Sequence, residues 1–302
     1  MTRRRLALLA IFLMAEAVTA AAQKADFSTT SEEVPMDVHV TENGKPVAGL
    51  GPDDFEVFDN GVLQEINSAS LQKQAPISVT LVFDMSSSVV GQLLDDLKEA
   101  ARGFLGDLKK EDHAALIMFN NAVVLGSPPT RDFEQVKLAL DQAQPYGKTS
   151  LIDGSYAGLV LAETRPDQPL LIIFSDGLDT FSWLTSEAVL DTAKSNDAVV
   201  YAVSTGRLPK KTFLSDLTSL TGGSLLEVKS TGDLLGVFLG ILEEFRQRYQ
   251  VYYTPRGVSE GGWHKVEVRV KNRSVKVRAR PGYLRNSSGK SSEKSDKQVE
   301  MH

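Results

Sequence analysis

The sequence predicts an α/β protein: a doubly wound, mostly parallel sheet, with a small β-sandwich built from strands at both ends of the chain. Two patterns carry this reading. Continuous apolar runs at 77–83, 114–119, 170–174 and 198–203 alternate with amphipathic stretches near 92–108, 131–142, 151–163, 185–195 and 210–220. Strands covered by helices on both faces read as unbroken apolar runs, and their alternation with helices implies parallel pairing. Before residue 77 and after residue 248 the rhythm changes to period two, as expected of strands with one buried face.

In chain order, Met36-Asp37-Val38-His39-Val40, Phe55-Glu56-Val57-Phe58 and Val62-Leu63-Gln64-Glu65-Ile66 each read as a half-buried strand. Asn43-Gly44 and Asp59-Asn60-Gly61 supply residues that tolerate positive φ, so tight turns join these strands. After the buried runs, 225–228 reads as a last strand. A closing helix follows over 234–249, with Leu235, Phe238, Leu239 and Leu242 on one face. Tyr249-Gln250-Val251-Tyr252-Tyr253, Val266-Glu267-Val268-Arg269-Val270 and Val275-Lys276-Val277-Arg278 add three alternating strands. Neither set of three can bury a face alone. Chain ends of a domain commonly lie close together, so the two sets are expected to share one sandwich. The resulting division is 23–74 and 248–285 for the β module and 75–247 for the α/β domain. Residues 286–302 are polar and should be disordered.

The 302 residues are 42% hydrophobic and 24% charged, close to globular averages. Residues 1–22 have the form of a signal peptide: Arg3, Arg4 and Arg5, an apolar run over 6–14, then Ala20-Ala21-Ala22 before Gln23. Export to the periplasm or beyond is the expectation. Glu16 interrupts the run well short of the roughly 20 apolar residues that a membrane span needs, so no stable span should remain after cleavage. Losing Arg3, Arg4, Arg5 and Glu16 moves the net charge from −6 to −8, which excludes nucleic acid as a partner on electrostatic grounds. The absence of cysteine excludes disulfides, thiolate metal sites, cysteine nucleophiles and a lipidated cysteine.

The first buried strand ends in Phe83-Asp84-Met85-Ser86-Ser87-Ser88, and ligands of open α/β sheets bind at the carboxyl ends of strands. An Asp, a Ser and a Ser at alternate positions can turn three oxygens to one point, the donor type that hard cations such as Mg²⁺ or Mn²⁺ require. Gly147-Lys148-Thr149-Ser150 precedes a helix and Phe174-Ser175-Asp176-Gly177 ends another buried strand, so each offers a further oxygen. The competing reading makes Ser86 and Ser88 helix caps and Asp176 a turn residue.

This ordered set resembles the metal-ion-dependent adhesion site of von Willebrand factor type A domains. The resemblance covers residues 75–247. It implies that Asp84 anchors the site, that Ser86 and Ser88 coordinate directly, that Thr149 and Asp176 bind directly or through water, and that a partner's carboxylate completes the shell. Pro46-Val47-Ala48-Gly49-Leu50, Asp54-Phe55-Glu56-Val57 and Pro281-Gly282-Tyr283 are further similar to the bacterial secreted "VWFA-related" family. The implied protein is a non-enzymatic, exported module that binds a protein or peptide through its cation. It also implies that shifts of Thr149 and Asp176 around the ion couple to the closing helix. A metal-dependent hydrolase and an envelope protein with a purely stabilising metal are the alternatives.

Other motifs carry less. Gly147-Lys148-Thr149 imitates the end of a phosphate-binding loop, but Gln142 stands where its first glycine belongs. No Gly-x-Ser-x-Gly elbow is present, and His39, His113, His264 and His302 lie outside the three loops. Trp263, Tyr249, Tyr252 and Tyr253 read as sandwich packing rather than a sugar- or peptide-binding surface. Lys109-Lys110-Glu111-Asp112 reads as a solvated turn.

Overall fold

The computed structural model describes residues 33–164, 167–176, 178–205 and 213–285. The signal segment 1–22 and the tail 286–302 lie outside the described residues. From the N-terminal side come β1 (Val34–Glu42), β2 (Lys45–Pro46), β3 (Phe55–Asp59), β4 (Val62–Gln64) and β5 (Ile66–Leu71). The central part runs β6 (Ile77–Asp84), α1 (Gln92–Gly106), β7 (His113–Phe119), β8 (Val123–Thr130), α2 (Phe133–Asp141), α3 (Leu151–Ala162) and β9 (Gln168–Phe174). It continues through α4 (Ser186–Ser195), β10 (Val199–Ser204), α5 (Phe213–Leu220), β11 (Leu225–Glu227) and α6 (Leu234–Arg246). Four strands follow: β12 (Tyr249–Tyr253), β13 (Gly262–Val270), β14 (Lys276–Arg278) and β15 (Gly282–Arg285).

The central six-stranded sheet has the order β11-β10-β9-β6-β7-β8. All pairs are parallel except β7 with β8. All eight residues of β6 are buried, as its apolar run requires of a central strand with a layer on each face. Leu97, Phe104, Val136, Leu140, Phe238 and Phe245 from α1, α2 and α6 pack on one face. Leu159, Val189, Ala193, Leu214 and Leu217 from α3, α4 and α5 pack on the other. Order reverses at β6, since the chain moves to β7 on one side and later fills β9 on the other. Such a switch point opens a crevice at the strands' carboxyl ends.

The strands of both chain ends share one core. β1 lies between β12 and β14, and β12 between β1 and β5. The second sheet runs β15-β13-β3-β4. Met36, Val38, Phe55, Val57, Val251, Tyr253, Val266 and Val270 bury together between the sheets. Asn43 and Gly44, and likewise Asn60 and Gly61, all have positive φ, as two-residue hairpin turns demand.

Four expectations need correction. The strand expected over 62–66 breaks at Glu65, with β4 pairing β3 in one sheet and β5 pairing β12 in the other. Gln64 makes this corner, its buried amide donating to the Val62 and Arg256 carbonyls and accepting the Arg256 N–H at 2.8 Å. An antiparallel edge strand, β8, was not anticipated. It contains Pro128 and Pro129, tolerable there because an edge strand leaves part of its N–H row unpaired. The buried face of α6 is Leu234, Phe238, Ile241, Leu242 and Phe245, whereas Leu235 and Leu239 are half-buried. Asp112, placed in a solvated turn, is fully buried. It accepts N–H groups of Ile77 and Lys109 and pairs with Arg246, tying β6 to the end of α6.

Candidate metal centre

Asp84 is the last residue of β6, and Ser175 and Asp176 directly follow the neighbouring β9, whose Phe174 pairs with Phe83. Adjacent strand ends therefore deliver the two carboxylates side by side. Asp84 is fully buried. One of its oxygens accepts the Ser86 N–H at 2.8 Å and the other the Ser175 hydroxyl at 2.8 Å. Burial pushes its carboxyl above the usual carboxylate range, opposed by the hydrogen bonds from Ser86 and Ser175.

The hydroxyls form a chain outward from this anchor. Ser86 Oγ lies 3.0 Å from Ser88 Oγ, and Ser88 Oγ donates to Asp176 Oδ1 at 2.9 Å. Ser86 is buried, Asp176 half-buried and Ser88 exposed, so the cluster opens to solvent on one side. Ser86 makes no side-chain cap to the short 3-10 turn that follows it, which removes the capping explanation for that serine.

Thr149 is brought to the same place through its backbone. The Gly147 carbonyl accepts the Ser87 N–H at 3.1 Å and the Ser87 hydroxyl at 3.0 Å, and Tyr146 N–H bonds the Met85 carbonyl. Gly147 has φ +76°, and a Cβ there would meet the tip of the Asn121 side chain, so a side chain at this position is strained. Asn121 also holds the next residue, accepting the Lys148 N–H at 2.5 Å. The Thr149 carbonyl takes N–H groups from Thr180 and Phe181, and the Thr180 hydroxyl accepts the Thr149 N–H at 3.1 Å. All three loops expected to form the site are thus laced together.

Oxygens are the donors this cluster presents. Among the described residues no three His, Asp or Glu side chains gather into a metal-holding group, so a cation here depends on hydroxyls together with two carboxylates. A hard ion fits. In octahedral coordination at 2.0–2.1 Å, neighbouring ligand oxygens are separated by about 2.9 Å, and the Ser86–Ser88 and Ser88–Asp176 separations are 3.0 and 2.9 Å.

Sequence reasoning missed the support around the site. Asp179 accepts the Ile152 N–H at 3.2 Å and the Ser182 hydroxyl at 2.5 Å, while Asp153 accepts the N–H groups of Trp183 and Leu184. Asp179-x-x-Ser182 is an Asx-type turn signal that the sequence did show. A second buried polar cluster lies in the β module. Asp59 takes His264 Nδ1 at 2.8 Å, Tyr253 OH at 3.0 Å and Tyr283 OH at 2.9 Å, and Ser259 Oγ lies 3.3 Å from His264 Nε2. This order imitates a hydrolytic triad. The two tyrosines that share Asp59 and the full burial of His264 instead describe a polar bridge between the sheets. Tyr249 and Tyr253 are core residues, with Tyr249 edge-on to Phe55, and Trp263 is partly exposed beneath Lys194.

Residues 79–178 match the family described as von Willebrand factor type A domain. Over these residues the chain is similar to a type A domain. Among curated sequences it is 26% identical over 104 residues to an uncharacterized protein of Synechocystis, covering 34% of this chain and 25% of that one. To bovine inter-alpha-trypsin inhibitor heavy chain H1 it is 31% identical over 118 residues, covering 34% of this chain and 13% of that one. The chain thus spans a quarter or less of either relative. Among solved structures it is similar to proximal thread matrix protein 1 of the mussel byssus with a zinc-occupied MIDAS motif. That likeness has a TM-score of 0.51 and 16% identity, over 62% of this chain and 49% of that one; it speaks for the type A fold. Among the described residues no helix is long and apolar enough to cross a membrane.

Proposed function

We propose that the type A domain holds one divalent cation on Asp84, Ser86, Ser88, Thr149 and Asp176 and uses it to bind a carboxylate-bearing protein or peptide outside the cytoplasm. The observation that carries this is the run of oxygens from Ser86 through Ser88 to Asp176, at separations compatible with an octahedral shell, beside the buried Asp84 carboxylate and open on one side. An ion short of one protein ligand accepts an oxygen from a partner. Mg²⁺ or Mn²⁺ suits hydroxyl and carboxylate donors. The mussel protein's zinc-occupied site is consistent with metal binding on this fold without indicating which metal belongs here. Export rests on the basic, apolar and small-residue pattern of residues 1–22.

A binding role is favoured over catalysis because the described histidines are committed elsewhere: His39 beside Arg278, His113 with Asp167, and His264 with Asp59. A purely stabilising ion is disfavoured because direct hydrogen bonds already lace the three loops together. Calorimetric titration of Mg²⁺ or Mn²⁺ should show one site in the wild type and none in Asp84→Ala, with Ser86→Ala and Thr149→Ala weakened. Far-ultraviolet dichroism should barely change in any of the three. Equal metal affinity in Asp84→Ala would refute the assignment. Retained partner capture from envelope fractions in EDTA would show that binding bypasses the ion.

A further inference from the structure

The loop that follows Asp176 carries apolar side chains that the fold does not bury. Trp183 is 89% exposed, Leu178 55% and Phe181 37%, and across the cluster Val90 is 61% and Tyr146 58% exposed. Isolated exposed apolar residues are ordinary. These sit on the three loops that are hydrogen-bonded around Asp84, with Phe181 N–H on the Thr149 carbonyl and Tyr146 N–H on the Met85 carbonyl. The Trp183 arm is anchored by its backbone alone, through its N–H to Asp153 at 3.0 Å, beside Ser182 held by Asp179. Its ring is therefore offered to solvent from a fixed stem, so its contact area can be used at little ordering cost.

Charge on the same face selects the partner further. Asp84, Asp153, Asp176 and Asp179 make the bare loops acidic, and Lys148, lying 5.0 Å over the Phe181 ring, adds one cation to them. Asp153 and Asp179 spend their oxygens on backbone and hydroxyl donors. A divalent cation would offset the charges of Asp84 and Asp176 and offer an open coordination position at the centre of the face, while its rim stays apolar.

We propose that this face recognises an acidic residue flanked by aromatic or large apolar residues in an exposed peptide segment. The carboxylate goes to the cation and the flanking side chain to Trp183 and Phe181. This rests on the cation assignment above and adds the specificity determinants. Trp183 and Phe181 are specificity residues and not metal ligands.

The test uses the mature chain with Mn²⁺ and three end-capped peptides, Gly-Phe-Asp-Phe-Gly, Gly-Ser-Asp-Ser-Gly and Gly-Phe-Asn-Phe-Gly, with binding followed by calorimetry. The phenylalanine-flanked aspartate should bind about ten-fold or more tighter than the serine-flanked one, and the asparagine peptide should not bind. In Trp183→Ser the preference should vanish while Mn²⁺ uptake stays at the wild-type level, because the Trp183 side chain takes no part in anchoring its loop. Equal affinity for the two aspartate peptides, or a preference that survives in the Trp183→Ser, Phe181→Ser double variant, would overturn the proposal and leave the cation assignment standing. Failure of the wild type to take up Mn²⁺ would overturn both.

Discussion

Ser175 Oγ donates to Asp84 Oδ2 at 2.8 Å across the ends of two adjacent parallel strands, and both residues are fully buried. Ser175 therefore fixes the carboxylate that anchors the proposed site without being one of its ligands. Supporting partners of this kind orient a ligand, and their loss commonly lowers metal affinity by about 10- to 100-fold. Ser175→Ala should weaken Mn²⁺ binding within that range and leave one site, as measured by calorimetry. An unchanged affinity would mean that the strand ends alone position Asp84.

How much of this was legible in the sequence varies with the physics. Asp84 and Asp176 stand out because apolar runs of a doubly wound sheet end abruptly beside them, and a carboxylate at the end of a buried run is conspicuous. Thr149 had no strand to mark it, and what places it is lacing by backbone groups such as the Gly147 carbonyl. Backbone partners leave no pattern in residue types. β8 was hidden because an edge strand with Pro128 and Pro129 has neither the unbroken apolar run nor the alternation of the other strands. The break at Glu65 was hidden because β4 and β5 share one chain direction but not one sheet.

Deletion of residues 23–72 should make the protein aggregate. β12 would lose both its neighbours, β1 and β5, and β13 would lose β3. Val251, Tyr253, Val266 and Val270, now buried, would face water. Light scattering and thermal melts decide the matter; a truncated protein that stays monomeric and melts cooperatively would show that the two strand sets do not depend on each other.

His39 should make the fold sensitive to acid. Burial, together with the charges of Arg248 and Arg278, holds its imidazole down at about 4 against Glu244, which pulls the other way. Arg278 Nη2 lies 3.3 Å from Nδ1, a contact that suits an unprotonated acceptor there. In the unfolded chain the imidazole binds its proton near its ordinary value of about 6.5. Between these values the unfolded state holds more protons, so this contribution is complete above pH 6.5 and is lost as pH falls toward 4. Denaturant melts across that window should show a shallower pH dependence in His39→Gln than in the wild type, and identical slopes would remove His39 from the account.

Arg248 joins α6, the last helix of the α/β part, to the β module, and its side chain is only 1% exposed. It directly follows α6 by two residues and immediately precedes β12. One guanidinium nitrogen donates to the Tyr201 hydroxyl at 3.0 Å and to the Gly222 carbonyl at 2.5 Å, and the other to the Asp37 carbonyl at 3.2 Å. Glu244, one turn back on α6, lies 3.8 Å away and also pairs with Arg278. One side chain thus contacts β10, the turn after α5, β1 and α6 together. Arg248→Ala would leave Glu244 paired with Arg278 but remove the guanidinium donors to the buried Gly222 carbonyl and the part-buried Asp37 carbonyl, and each polar group so deprived costs about 1–3 kcal/mol. Arg248→Lys should recover little of this, since a single ammonium cannot reproduce a planar fork that spans three acceptors. Equilibrium unfolding should therefore place both variants well below the wild type, while Mn²⁺ affinity measured on their folded fraction should be unaltered, because none of these contacts reaches the three loops around Asp84. A lysine variant as stable as the wild type would show that charge alone, and not the fork, holds the junction.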